Sequence, residues 1–222
     1  MTPWFLIPVI LIAVLLYWEL WVCEGTHLGR RFVILLYDLA ARRYDGIKQF
    51  DTHFERHYLA EPVAGVLGTM PDALLLDVGA GTGRLARGLF QLEGIHAKLV
   101  CVEASRRMLT LGRDHTPDIG VDWVRGWSVP LPFPAGAFDL VASLEILEFT
   151  PDPRATLREL VRVLRPGGWL LVTNRVGREA RWIFGKTFPR ARFTHELDRL
   201  GLEGIEVFPW QIQYDLAWAR KP

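Results

Sequence analysis

Residues 74 to 86 are LLLDVGAGTGRLA: an apolar run, one acid, and three glycines at alternate positions before a helical pattern resumes. Glycine loses more conformational freedom on folding than any other residue. Three within five positions therefore weaken a helix or a strand unless the backbone must turn sharply or approach something closely. ALLLDV (73–78) has the pattern of a buried strand, and Leu85, Leu89 and Leu92 share one face of a helix over 83–92. A strand, a glycine turn and a helix form the unit from which parallel α/β sheets are assembled.

The chain downstream repeats that unit. AKLVCV (97–102) is a second strand, followed by a helix over about 104–113, and VDWVRG (121–126) and FDLVASL (138–144) supply two more strands. Asp152 is placed as an N-cap with Pro153 at the first helical position. Leu157, Leu160, Val161 and Leu164 follow at helical spacing until RPGG (165–168) stops the helix. WLLVTN (169–174) is a fifth strand. After a helix near 193–200, LEGIEVFPWQIQYDLAWARK (202–221) holds two β-like runs with a break at Pro209 and no room for a helix between them. Such a pair must be an antiparallel hairpin at the sheet edge.

Asp77-x-Gly79-x-Gly81-x-Gly83 falls at the carboxyl end of the first strand, where open α/β sheets bind ligands. Glu103, twenty residues past Gly83 and at the end of the second strand, is placed to accept hydrogen bonds from two ribose hydroxyls. A glycine turn alone could be no more than a tight strand-to-helix connection; with Glu103 in this context it is a nucleoside site. Dinucleotide folds use G-x-G-x-x-G, whereas here the glycines fall as G-x-G-x-G behind an acid.

This pattern resembles the first motif of class I S-adenosylmethionine-dependent methyltransferases, of the type 11-like group. The resemblance covers roughly 37 to 219 through YDLAARRYD (37–45), LLLDVGAGTGRLA, VCVEAS (100–105), PLPFPAGAFDLV (130–141) and LRELVRVLRPGGWLLVTN (157–174), in the family's order. It implies a Rossmann-like, doubly wound, seven-stranded α/β sheet with an antiparallel C-terminal hairpin, and S-adenosylmethionine as cofactor. By resemblance, Gly79, Ala80, Gly81 and Gly83 hold the methionine part and Asp77 organises the loop. Glu103 holds the ribose, Ala104 and Met108 flank the adenine, and Gly126, Trp127 and Ser128 reach its edge. Tyr44 covers the reactive end. Ala104 and Met108 also have the apolar helical spacing of core residues, and Tyr44 could be an ordinary interfacial aromatic.

The chain departs from the family at two places. Trp127 stands where relatives often carry an aspartate, which removes a carboxylate from the adenine edge, and Phe149 in LEILEFTPDP (144–153) stands where histidine is frequent. A sulfonium methyl donor is already a strong electrophile, so alignment is the main requirement and a base matters only if the acceptor must lose a proton. Glu145, His53 and His57 are base candidates, Glu145 alternatively serving only to cap or pair, and Tyr44 and Glu145 are the expected catalytic residues. Glu148 is a further acid in range.

At the other end, WFLIPVILIAVLLYWELWV (4–22) carries one charge, Glu19. As a helix it would reach about 30 Å, enough to cross a bilayer's hydrocarbon core. Trp4 at one end and Tyr17, Trp18 and Trp21 at the other are placed like interfacial belts. No basic residue precedes the run and VCEGTHLG offers a poor cleavage site, so an uncleaved single-pass transmembrane anchor over 1–23 is favoured over a signal peptide. Arg30, Arg31, Arg42 and Arg43 follow it and place the catalytic domain in the cytoplasm. Residues 24–70 then form a helical extension covering the site, with FVILLY (32–37) packed on the domain in preference to lying as a helix at the membrane surface, and 71–222 form the methyltransferase domain.

The 222 residues are half hydrophobic with a formal charge of +1, which gives no reason to expect nucleic acid. Cys23 and Cys101, the two cysteines, are too far apart for a metal knuckle or redox pair, so no metal is expected. An anchor suits a lipid or other membrane-associated small-molecule acceptor. The interleaved basic and aromatic stretch RVGREARWIFGKTFPR (175–190) fits an anionic headgroup region or, more simply, a solvated lid. Two rival functions are a membrane-tethered binding protein without transfer activity and, against the glycine spacing, an NAD-dependent oxidoreductase.

Overall fold

The apolar runs separated by helical patterns form seven strands: β1 (Leu74–Val78), β2 (Lys98–Glu103), β3 (Val121–Arg125), β4 (Phe138–Ser143), β5 (Leu164–Arg175), β6 (Glu203–Trp210) and β7 (Tyr214–Arg220). The structure, a computed structural model, describes residue 4 and residues 6–70, 72–92, 94–117 and 120–222. The strands make one sheet in the order β3-β2-β1-β4-β5-β7-β6. The first five run parallel, with Leu76 opposite Val100 of β2 and Val141 of β4. β7 is antiparallel to both β5 and β6, as a hairpin demands. Every residue of β4 is buried, the burial expected of a central parallel strand with helices on both faces.

The helices are α1 (Leu6–Tyr17), α2 (Arg30–Ala40), α3 (Tyr44–Lys48), α4 (Thr52–Glu55), α5 (Glu61–Leu67), α6 (Arg84–Phe90), α7 (Arg106–His115), α8 (Pro153–Val163) and α9 (Arg190–Asp198). Leu59, Val63, Leu85 and Leu89 cover one face of the sheet, and Leu157, Leu160, Phe193 and Leu197 cover the other. The expected cap at Asp152 is formed: its carboxylate accepts the Arg154 N–H at 2.9 Å. Ser105 caps α7 in the same way, accepting from Met108 N at 3.1 Å. β1 and β4 are neighbours whose connections leave in opposite directions. This switch point opens a crevice at the carboxyl ends of the strands.

Three expectations are revised. RPGG lies within β5, because α8 has already ended at Val163 and the strand begins at Leu164. Pro209 does not break its strand: β6 is the sheet edge, where a missing N–H leaves no ladder bond unmade, and the chain reverses after Trp210, with Gln211 at φ +61°. The apolar N-terminus forms a 12-residue helix whose side chains from Leu6 to Tyr17 are all exposed. Among the described residues no helix is long and apolar enough to cross a membrane. The regular α-helix stops at Trp18, where a π turn (Trp18–Val22) faces Glu19 inward and the carboxylate accepts the His27 N–H at 2.8 Å.

Candidate active site

The turn after β1 carries Gly79, Gly81 and Gly83 at φ +76°, +56° and +82°, in the left-handed region that glycine alone enters without strain. Packing fixes two of them: a Cβ on Gly79 would collide with Ile146, and one on Gly83 would press on Trp123 at 3.2 Å. At Gly81 the nearest side-chain atom is on the Tyr44 ring, 3.9 Å away. The bare backbone there faces open space.

That space is a cavity of about 130 Å³ at the carboxyl ends of β1, β2 and β4. Gly79, Gly81, Glu103 and Ala104 line it, as do Gly126, Trp127 and Ser128 beyond β3 and Tyr44 and Glu145 on the opposite side. Asp77 and Ala80 line a smaller adjoining hollow together with Arg84 and Phe50. Gly83 and Met108 line neither. Gly83 begins α6 against Trp123, and Met108 is buried on α7, the core position that its helical spacing also allowed. His53 and His57 stay outside the cavity; the His57 ring faces Glu61 on the surface.

Glu103 links the turns that follow β1 and β2. One carboxylate oxygen accepts Gly81 N–H at 2.9 Å and the other accepts Ser105 N–H at 2.7 Å. Each oxygen keeps a lone pair for a ligand hydroxyl. Burial raises its affinity for a proton, and the backbone donors at Ser105 and Gly81 oppose that rise. Asp77, 2% exposed, is pushed up to about 7 by burial and then by the charge of Glu103, with Arg84 opposing.

Glu145 is held in a buried ion cluster. Its carboxylate accepts from Lys48 at 2.7 Å and from Arg84 at 2.6 Å, while Arg84 also grips Glu55 with two hydrogen bonds. Burial raises the proton affinity of Glu145, but the positive charges of Lys48 and Arg84 outweigh it and leave the carboxyl below its usual range. Such a carboxylate is a poor base. Tyr44 is raised by burial and then by Glu145, so its phenol stays protonated. The geometry therefore places both expected catalytic residues at the cavity and favours neither as a proton acceptor.

Sequence reasoning missed most of one wall. Arg30, Val33, Ile34 and Tyr37 of α2 face the cavity. Arg30 stacks on Trp127, its guanidinium carbon 4.2 Å from the ring centroid. Tyr37 packs on Tyr44 and on Phe149, at 5.9 and 5.6 Å between centroids. The signal was Asp38: it accepts from Ser105 Oγ at 2.6 Å and from Arg107 N at 2.9 Å, latching α2 across the start of α7. Part of α2 thus forms one wall of the cavity.

Comparison with known proteins follows the same geometry. The solved [4+2]-cyclase SpnF superposes with a TM-score of 0.70 at 19% identity, covering 87% of this chain and 96% of its own. An S-adenosylmethionine-dependent methyltransferase from Aquifex aeolicus superposes with a TM-score of 0.59 at 17% identity, covering 77% of this chain and 98% of its own. The fold is that of S-adenosylmethionine-dependent methyltransferases. Residues 76–172 match the methyltransferase domain family. The ubiquinone/menaquinone biosynthesis C-methyltransferase UbiE of Hahella chejuensis is 38% identical over 109 residues, which are 47% of this chain and 44% of that protein. The UbiE of Shewanella baltica is 33% identical over 166 residues, 67% of this chain and 64% of that protein. The chain thus spans less than two thirds of these relatives' length.

Proposed function

We propose that this chain transfers a methyl group from S-adenosylmethionine to an apolar, membrane-associated small molecule or lipid. The observation that carries the cofactor reading is the open backbone at Gly81 beside Glu103, the two set 2.9 Å apart and both facing the cavity. The residues fit the group chemically. Glu103 offers free carboxylate lone pairs to ligand hydroxyls, and the Ala104, Trp127 and Ile146 surfaces suit a planar base. Gly79, Gly81 and Ala80 would hold the methionine part, Glu103 the ribose, and Gly126, Trp127 and Ser128 the adenine edge.

When bound, the cofactor supplies an electrophilic methyl on sulfur. The chain's own contribution is alignment and exclusion of water. Tyr37, Tyr44 and Phe149 form an aromatic wall that would keep water from the acceptor. Arg84 and Lys48 keep Glu145 ionised and in place, so it contributes charge rather than proton transfer. An acceptor that ionises readily, or whose nucleophilic atom needs no deprotonation, suits such a site.

The acceptor class rests on three supports: the aromatic wall, the relatives named as ubiquinone/menaquinone C-methyltransferases, and the exposed apolar helix α1. At 1.5 Å per residue its 12 residues reach about 18 Å, so α1 by itself enters a bilayer without spanning it. Trp21, Trp182 and Phe184 are exposed, and Trp18 packs on Phe184, which brings the 180–187 segment beside the root of α1. The reading is a membrane-held domain on the cytoplasmic side, where the arginines after α1 also point. The test is transfer of labelled methyl from S-adenosylmethionine to lipid and water-soluble extracts. Label in the lipid fraction alone supports the acceptor class, and label confined to the aqueous fraction refutes it.

A further inference from the structure

At the root of α1, Glu19, Cys23 and His27 bring a carboxylate oxygen, a sulfur and a ring nitrogen within 4.8 Å of one another. On a straight helix, residues eight apart are separated by about 12 Å of rise and could not meet. Here the π turn ends at Val22 and the chain folds back through Glu24 and Gly25, at φ +52° and +75°, with Gly25 N–H donating to Glu19 O at 2.8 Å. His27 is returned to Glu19, and its Nδ1 lies 2.9 Å from Glu19 Oε2.

We propose that Glu19, Cys23 and His27 form a zinc site that closes the turn at the root of α1. The surroundings orient the ligands. A carbonyl only accepts, so the 3.2 Å contact between His27 Nε2 and Phe184 O needs Nε2–H and leaves Nδ1 to face Glu19. This outer contact to a backbone carbonyl is the one that fixes a metal-binding histidine. Trp18 stacks on the ring at 5.2 Å and holds its plane. Glu19 Oε1 is occupied by the His27 N–H, which leaves Oε2 for the ion. Cys23 Sγ lies 3.7 Å from Trp182 O, against the same segment.

One thiol, one imidazole and one carboxylate are a donor set for zinc, with a fourth position left for water. Ligands sharing a tetrahedral zinc sit about 3.3 Å apart for nitrogen and oxygen and about 3.6 Å apart where one is sulfur, so the Nδ1–Oε2 pair, now at 2.9 Å, must open slightly and the sulfur, within 4.8 Å, must close. On binding, Zn²⁺ displaces the proton between Nδ1 and Oε2 and the thiol proton, and both leave to solvent. The site is separate from the cavity and does not depend on the methyl-transfer reading.

The experiment uses the full chain in detergent, stripped with chelator and titrated with Co²⁺ as a spectroscopic probe. A thiolate-to-cobalt charge-transfer band should appear at one equivalent and vanish on adding Zn²⁺. Cys23→Ser should abolish the band. His27→Gln, which keeps the backbone contact to Glu19, should weaken Co²⁺ binding about tenfold or more. No band in the wild-type chain overturns the proposal, as does a band that survives Cys23→Ser or an affinity unchanged in His27→Gln.

Discussion

Asp77 and Glu103 carry the site at the scale of single residues. Asp77 binds its proton more tightly when folded, at about 7 against an ordinary 3.8. A raised carboxyl favours folding fully only below its unfolded value. Stability is therefore lost as pH climbs from about 4 to about 7, by on the order of 4 kcal/mol for a shift near three units. Asp77→Asn removes that loss: its stability in denaturant melts should rise relative to wild type across this window and stay level above it. A gain that does not change between pH 4 and 7 would contradict the assignment. Glu103→Ala leaves the Gly81 and Ser105 N–H groups without their acceptor and removes the proposed ribose partner. S-adenosylmethionine affinity in calorimetry should fall by about 1 to 3 kcal/mol. Glu145→Gln should lower activity with little change in its pH profile between 6 and 8, since the carboxylate is already ionised there; loss of an acidic limb in that range, the fall in activity toward low pH that a protonating base causes, would restore it as a base.

Between elements, the N-terminal helices are tied to the sheet by ion pairs aimed at the cofactor loops. Arg84, next to Gly83, joins Glu55 of α4 to Glu145 beyond β4, with both carboxylates and the guanidinium largely buried. Arg84→Met leaves Glu55 buried without its cation and Glu145 held by Lys48 alone, and should cost about 3 to 5 kcal/mol in denaturant unfolding. A loss under 1 kcal/mol would show that the cluster does not hold the extension. The sheet was legible from residues because buried parallel strands such as Leu74–Val78 and Phe138–Ser143 are continuous apolar runs, and the glycine turn marks its own left-handed backbone. The α2 wall was less legible. Val33, Ile34 and Tyr37 meet the cavity through tertiary packing, and FVILLY has the same apolar composition whether it packs on a domain or on a ligand. The ion cluster was invisible for a related reason: Lys48, Glu55, Arg84 and Glu145 are far apart in sequence and carry no shared spacing. At Pro209, a local breaker was overridden by its position on an edge strand.

For the whole molecule, the apolar helix and the catalytic crevice lie on one chain, joined through the turn at Glu19 to His27 and the segment at Trp182 to Phe184. If α1 holds the domain at a bilayer, the full chain should float with anionic vesicles and a chain lacking residues 1–22 should float less; equal flotation would remove α1 from that role. The central claim is narrower: the crevice beside Gly81 and Glu103 holds S-adenosylmethionine. Isothermal titration of the full chain with S-adenosylmethionine, S-adenosylhomocysteine and NAD tests it most directly. One equivalent of each S-adenosyl compound should bind, NAD should not, and Glu103→Ala should weaken both. Binding of NAD with no binding of either S-adenosyl compound would contradict it.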